Sequence, residues 1–179
     1  MRPGLAEIAR YMRMGRTLPD GELKERVETL AAAAERAATP RRTWKRVGAS
    51  WFAGRIPQPK PRPACLLCAT LGAGFDAWHR RVAATSATDA LAAQAIGTAA
   101  LEKFLDECEG EIRADLAPGE TALPRVSPGY GDLPLALSRD ILEALDAPRA
   151  VGVSLADSLL LVPSKSVTAI TWIETDARK

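Results

Sequence analysis

LPRVSPGYGDLPLALSRDI (Leu123–Ile141) is the most distinctive stretch of the chain. From Leu123 to Pro134 it holds three prolines, two glycines, one arginine, one tyrosine and one aspartate. Such a run is poor core and poor helix. Each of Pro124, Pro128 and Pro134 fixes φ and removes a backbone donor. Gly129 and Gly131 permit close approach of a ligand to the backbone. Arg125 carries a planar five-donor fork suited to a carboxylate or phosphate. Tyr130 carries a ring with a polar tip. A stiff loop with these groups, leading into a helix, reads as a ligand cradle. The same composition also suits a plain connector.

The rest of the chain sets bounds. Its 179 residues suit one domain with a real core. A hydrophobic fraction of 47% with 26% charged residues is ordinary for a globular protein, and a net charge of +2 makes no global case for nucleic acid or a membrane. No apolar run approaches the roughly 20 residues of a membrane span. Three cysteines and a charged Met1–Arg16 segment point to a reducing, cytoplasmic setting.

Taken in order, residues 1–40 read as N-terminal helices, over Pro3–Met14 and from Pro19 to about Ala38. Residues 41–63 read as a basic, proline-rich arm or a twisted hairpin. The arm holds seven basic residues and no acidic one, with Trp44, Trp51 and Phe52 among them and four prolines at its end. Two uses are open to it: a nucleic-acid patch, or a dock for an acidic protein through Arg41, Arg42, Lys45 and Arg46. Solvated charge is the simpler reading. Residues 64–179 read as the core, and one domain overall is expected.

Within that core, ACLLCATL (Ala64–Leu71) suits a buried strand. Cys65 and Cys68 form a C-x-x-C with no second pair at metal spacing, so two small buried residues are the simpler account. His79, the only histidine, sits in a short helix over Phe75–Ala84 as a surface or boundary residue. Ser86-Ala-Thr-Asp89 caps a helix that runs to about Leu116, with Leu91, Ala95, Ile96, Ala99, Leu101, Leu105, Cys108 and Ile112 as its apolar stripe. Gly97 inside it implies close packing where the helix lies on the sheet. The acids Glu102, Asp106, Glu107, Glu109 and Glu111 gather at its far end. A turn over Ala117–Thr121 precedes the loop, and a helix over Pro134–Asp146 follows it. Strands are expected over Val151–Leu155, Leu159–Val162 and Ser166–Ile173, the last two pairing as a hairpin. The fold class is α+β, with an antiparallel or mixed sheet flanked by helices. No glycine-rich dinucleotide turn is present.

The loop matches an Arg-x-x-x-Gly-Tyr pattern over Arg125–Tyr130. With Gly131-Asp-Leu-Pro-Leu135, Leu155-Ala-Asp-Ser158 and Pro163-Ser-Lys-Ser-Val167, it resembles the activation (reactivation) domain of cobalamin-dependent methionine synthase. Ala69-Thr-Leu-Gly72 and Asp89–Ala100 are similar to its short, stand-alone members. The resemblance runs from about Cys65 to Glu174. It implies an S-adenosylmethionine site in a shallow groove, with Arg125, Pro128, Gly129, Tyr130, Gly131 and Asp132 as binding residues. Arg125 would hold the ligand carboxylate, the Gly129–Gly131 backbone would face the adenine, and no catalytic residue or metal ligand is implied. The cobalamin would be held by the partner, a methionine synthase or related corrinoid protein lacking its own activation domain. A flavodoxin-like protein would supply an electron to cob(II)alamin, and methylation would trap the reduced cobalt. Departures are Ala156, where the family has threonine, and an upstream acidic contact with no assigned counterpart here. A docking module that no longer binds the ligand is the alternative.

Overall fold

The computed structural model describes residues 2–57 and 62–175. Two helices come first, α1 (Leu5–Tyr11) and α2 (Gly21–Ala37). Strand β1 (Arg41–Val47), a 3-10 turn (Ala49–Phe52) and strand β2 (Ala64–Thr70) follow. Helices α3 (Ala73–Thr85) and α4 (Ala87–Ala114) lead to strand β3 (Glu120–Ala122). After the signature loop come α5 (Leu137–Ala144), α6 (Ala147–Ala150), β4 (Ser154–Leu155), β5 (Leu161–Val162) and β6 (Ser166–Thr175).

The main sheet has the order β1-β2-β6-β3, and each neighbouring pair is antiparallel. The fold is therefore α+β with an antiparallel sheet flanked by helices. Every residue of β2 is buried, because both faces of the sheet are covered. On one face Leu67, Ala69 and Ala169 pack against α1, α2, α3 and α4 through Ile8, Val27, Leu30, Phe75, Ile96 and Leu105. On the other, Leu66, Cys68, Ile170 and Trp172 pack against Phe52, Leu137, Ile141 and Leu142. Period-two alternation sends Cys65 and Cys68 to opposite faces. Cys65 packs with Ile112 and Ile173, and Cys68 joins the α5 side. The two thiols cannot share a metal or a disulfide in this strand. Burial pushes them up to about 11 and about 12.

Helix α4 runs for 28 residues, and the Ser86 hydroxyl caps it by accepting from the Asp89 N–H. Asp89 is buried and is paired to Arg26 of α2. Leu91 departs from the expected apolar stripe: it is 53% exposed, one step off the face that α2 and α3 cover. Gly97 does mark close packing, but against α3 rather than the sheet. A Cβ there would lie 2.4 Å from the Phe75 ring and 3.0 Å from the Lys165 side chain.

Several expectations are corrected. The segment read as an arm over 41–63 begins as the edge strand β1, in register with β2 from Arg41↔Thr70 to Val47↔Ala64. Its arginines are largely spent at home: Arg42 pairs with Glu111, Arg46 with Glu120, Arg55 with Asp140 and Arg62 with Glu174. Acids distant in sequence neutralise what looked like a free patch. Lys60, Pro59 and Pro61 of that segment lie outside the described residues. The turn over 117–121 gives way to β3, which lies on the end of β6. Strand β5 pairs with β4, through Ser154↔Val162 and Leu155↔Leu161, and not with β6. On the side away from β2, β6 is met by Val126 at Ile170 and by β3 from Ile173 to Thr175, while Ser166 to Thr168 line a groove and pair with no described strand there.

Two outcomes follow from this packing. Gly97→Ala should lower stability by about 1–3 kcal/mol in chemical denaturation, because overpacking against Phe75 outweighs the ~1 kcal/mol that alanine gains in helix propensity. Glu120 accepts from both terminal nitrogens of Arg46, at 2.7 and 2.6 Å, and from the Ala117 N–H. These bonds hold its carboxyl at about 2, against an ordinary 4.5. A depressed carboxyl stabilises the fold above its ordinary value and loses that effect as pH falls toward its folded value. The melting temperature should therefore drop between pH 4.5 and 2, and Glu120→Gln should flatten that part of the profile.

Candidate functional site

The signature loop is built on β6. The Leu123 N–H donates to the Trp172 carbonyl at 2.8 Å, and Val126 and Ile170 exchange bonds at 2.9 and 2.8 Å. Leu123 and Val126 pack toward the α5 face. Arg125, the neighbour of Val126, turns to the opposite side and bonds acids of α4. Beyond Val126 the chain leaves the sheet. The Gly129 N–H bonds the Leu133 carbonyl at 2.8 Å and the Tyr130 N–H bonds the Ser127 carbonyl at 3.2 Å. Gly129 has φ +91, a conformation that side chains resist. Buried Leu133 and Pro128 anchor the loop, while Tyr130 projects at 71% exposure.

Beside this loop lies an open groove of about 940 Å³. Arg125, Pro128 and Tyr130 line it from the loop, Glu102 from α4, Asp76 and Arg80 from α3, and Ser158 to Val162 from the β4–β5 hairpin. Six serine and threonine residues face it: Ser127, Ser138, Ser158, Ser164, Ser166 and Thr168. Two bonds order its floor, Thr168 to Ser138 at 3.0 Å and Ser166 to Thr70 at 2.8 Å. The far end is clasped to the helices. Asp76 accepts from the Ser164 N–H at 2.6 Å and its hydroxyl at 2.8 Å, and the Lys165 ammonium donates to Thr98 at 3.0 Å. Burial lowers the Lys165 pKa, against the pull of Asp76. The groove's rim is apolar, with Tyr130, Leu135, Leu160 and Val162 between 46% and 71% exposed.

The six residues expected to form the site do not share one surface. Arg125, Pro128 and Tyr130 line the groove. Gly131 and Asp132 line a smaller cleft of about 350 Å³ on the far side of Tyr130, with Leu123, Leu133 and Trp172. Gly129 shapes the turn and lines neither.

Arg125 is engaged by acids of α4. Its guanidinium donates to Glu102 at 2.6 Å and Asp106 at 2.8 Å, and it lies 3.2 Å from Glu109. The Arg125 N–H donates to Glu109 as well. Burial alone would lower the Arg125 pKa, but its bonds to Asp106 and Glu102 raise it above the ordinary value. The three acids stand at i, i+4 and i+7 on α4 and so form one stripe. The fork is thus already bonded to the chain's own acids. Arg113 also holds Glu109, at 2.8 Å, so three carboxylates and two guanidiniums leave this cluster with one negative charge in excess.

Sequence reasoning singled out Arg125 but missed Asp76, Arg80 and the hairpin tip. The i, i+4 spacing of Asp76 and Arg80 did place them on one helix face, yet nothing local said that this face looks at the loop. His79 does not line the groove: its ring stacks on Phe75, and its buried Nε2 has no hydrogen-bond partner among the described residues.

An antiparallel four-stranded sheet, with four helices on one face and a short helical layer on the other, carries this groove at the end where β6 leaves the β5 turn. The same architecture occurs in a crystal structure described as the MetH reactivation domain bound to AdoHcy. The two superpose with a TM-score of 0.70 over 99% of this chain and 76% of that one, at 14% sequence identity. The chain therefore has the MetH reactivation domain fold. No family model and no curated protein matches its sequence.

Arg125→Ala should cost about 1–3 kcal/mol in chemical denaturation, because it leaves partly buried acids without their donor. In a double-mutant cycle with Glu102→Gln it should show a coupling of about 0.5–3 kcal/mol. A variant as stable as the parent would show that the clamp carries no weight.

Proposed function

We propose that the groove binds S-adenosylmethionine, and that the protein serves a corrinoid methyltransferase of the methionine synthase type as its activation protein. The observation that carries this is the groove itself. It is open, lined with hydroxyls, walled by the Arg-x-x-x-Gly-Tyr loop and negatively charged at the Arg125 end. S-adenosylmethionine brings a sulfonium and an ammonium, both cationic, which Glu102 on the groove wall, with exposed Asp106 behind it, attracts. Ser127 and Ser158 can meet ribose hydroxyls, and the Tyr130 ring offers a flat wall for the adenine.

The shape serves the chemistry. A methyl group bound for another protein must face outward, and a shallow groove leaves it there. The ligand supplies an electrophilic methyl. The partner's cobalt accepts it after taking one electron from a flavodoxin-like donor, and the thioether departs. This chain's residues bind and orient, and no general base is required. The exposed collar of Tyr130, Leu135, Leu160 and Val162 is where the partner would seat. That the MetH structure carries AdoHcy, the demethylated product of such a ligand, agrees with this reading. A second reading, a docking module that has lost the ligand, draws on one observation: Arg125 is already filled by the protein's own acids.

Titration calorimetry separates the two. S-adenosylmethionine should bind more tightly than S-adenosylhomocysteine, by roughly 1 kcal/mol or about fivefold at low salt, because only the former carries the sulfonium charge. The preference should shrink as salt rises. No heat from either ligand at high concentration would leave the docking module standing.

A further inference from the structure

Resting on the ligand reading above, we infer that Arg80 of α3, and not Arg125, receives the ligand's carboxylate. Four charged side chains line the groove: Asp76, Arg80, Glu102 and Arg125. Three are committed. Glu102 is bonded to Arg125, and Arg125 is further held by Asp106 and Glu109. Asp76 accepts two bonds from Ser164. Arg80 sits one turn beyond Asp76 on the same helix face, where an i, i+4 ion pair would ordinarily form. That pair is absent because Asp76 is turned to the β5–β6 junction. Arg80 is thus the one charged group lining the groove with no partner among the described residues.

Electrostatics separates the two arginines. A carboxylate approaching Arg125 must enter the field of Glu102, Asp106 and Glu109, only the last of which is shared with Arg113, and compete for donors already bonded at 2.6 and 2.8 Å. A carboxylate approaching Arg80 meets an exposed guanidinium with its donors free, and exchange of water for a charged hydrogen bond there displaces no internal partner. The groove therefore has two poles. The acid stripe on α4 takes the cationic groups, and Arg80 on α3 takes the anion. The cationic groups of the ligand would face Glu102 and its carboxylate Arg80, two contacts that a nucleoside without the amino-acid tail lacks.

The test uses calorimetry on the full chain with S-adenosylmethionine and its decarboxylated analogue. Arg80→Gln should weaken S-adenosylmethionine binding about 10- to 100-fold and change binding of the decarboxylated analogue less than threefold. Arg80→Lys should restore part of the loss. The melting temperature of both variants should equal the parent's, since Arg80 is exposed and unpaired. If the parent binds S-adenosylmethionine and Arg80→Gln binds it equally well, the assignment to Arg80 is overturned while the ligand reading survives. Equal weakening of both ligands would also overturn it, by showing that Arg80 acts without the carboxylate. A parent chain that binds neither ligand removes the ligand reading, and the anion pole with it.

Discussion

The exchange of backbone bonds between Val126 and Ile170 governs the site. It holds the loop's first residues against β6 as an irregular continuation of β3. Alternation along that edge then decides which side chain goes where: Val126 joins the core beneath α5, and Arg125 is delivered to α4. Were the register shifted by one, the guanidinium would be driven among leucines and the valine set against acids. Sheet geometry, more than the loop's own prolines and glycines, makes Arg125 part of a charged cluster.

That cluster changes what the loop motif means here. On paper an arginine beside two glycines and a tyrosine looks like an unoccupied hand. In the folded chain the hand is held by an acid stripe that a 28-residue helix brings alongside. Charged pairs that are part-exposed contribute modestly to stability, so their value lies in orientation and in the sign of the local field. The groove thus carries an excess of acid beside Arg125 and, on α3, the Arg80 guanidinium with no partner among the described residues.

The fold was largely legible. Apolar periodicity located α2, α4, β2 and β6, and the Ser86 cap marked the start of α4 to the residue. Gly97 signalled a close contact, though its partner, Phe75, could not be named from spacing. Misreadings arose where pairing is non-local. Arg41–Val47 has no apolar alternation to announce a strand, because its arginines are matched by Glu111 and Glu120 far along the chain. Residues 117–121 look like a turn until β6 supplies an edge. Strand β5 was assigned to the wrong neighbour because proximity in sequence favoured β6, whereas β5 turns back onto β4. The lining of the candidate groove was legible only in part. The loop announced itself by composition, while Asp76, Arg80 and the hairpin tip became visible only when the chain closed on itself.

Strand β1 lends the basic stretch another purpose. It pairs with β2 on one side, and its outer row of amides and carbonyls joins no other described strand. Such a border invites a second molecule to extend the sheet, and from there to grow into aggregates. Arg41 and Lys45 stand exposed along it. Any copy approaching edge to edge meets its own charge in the mirror, so the residues that looked like a lure for nucleic acid serve as a fence against self-addition.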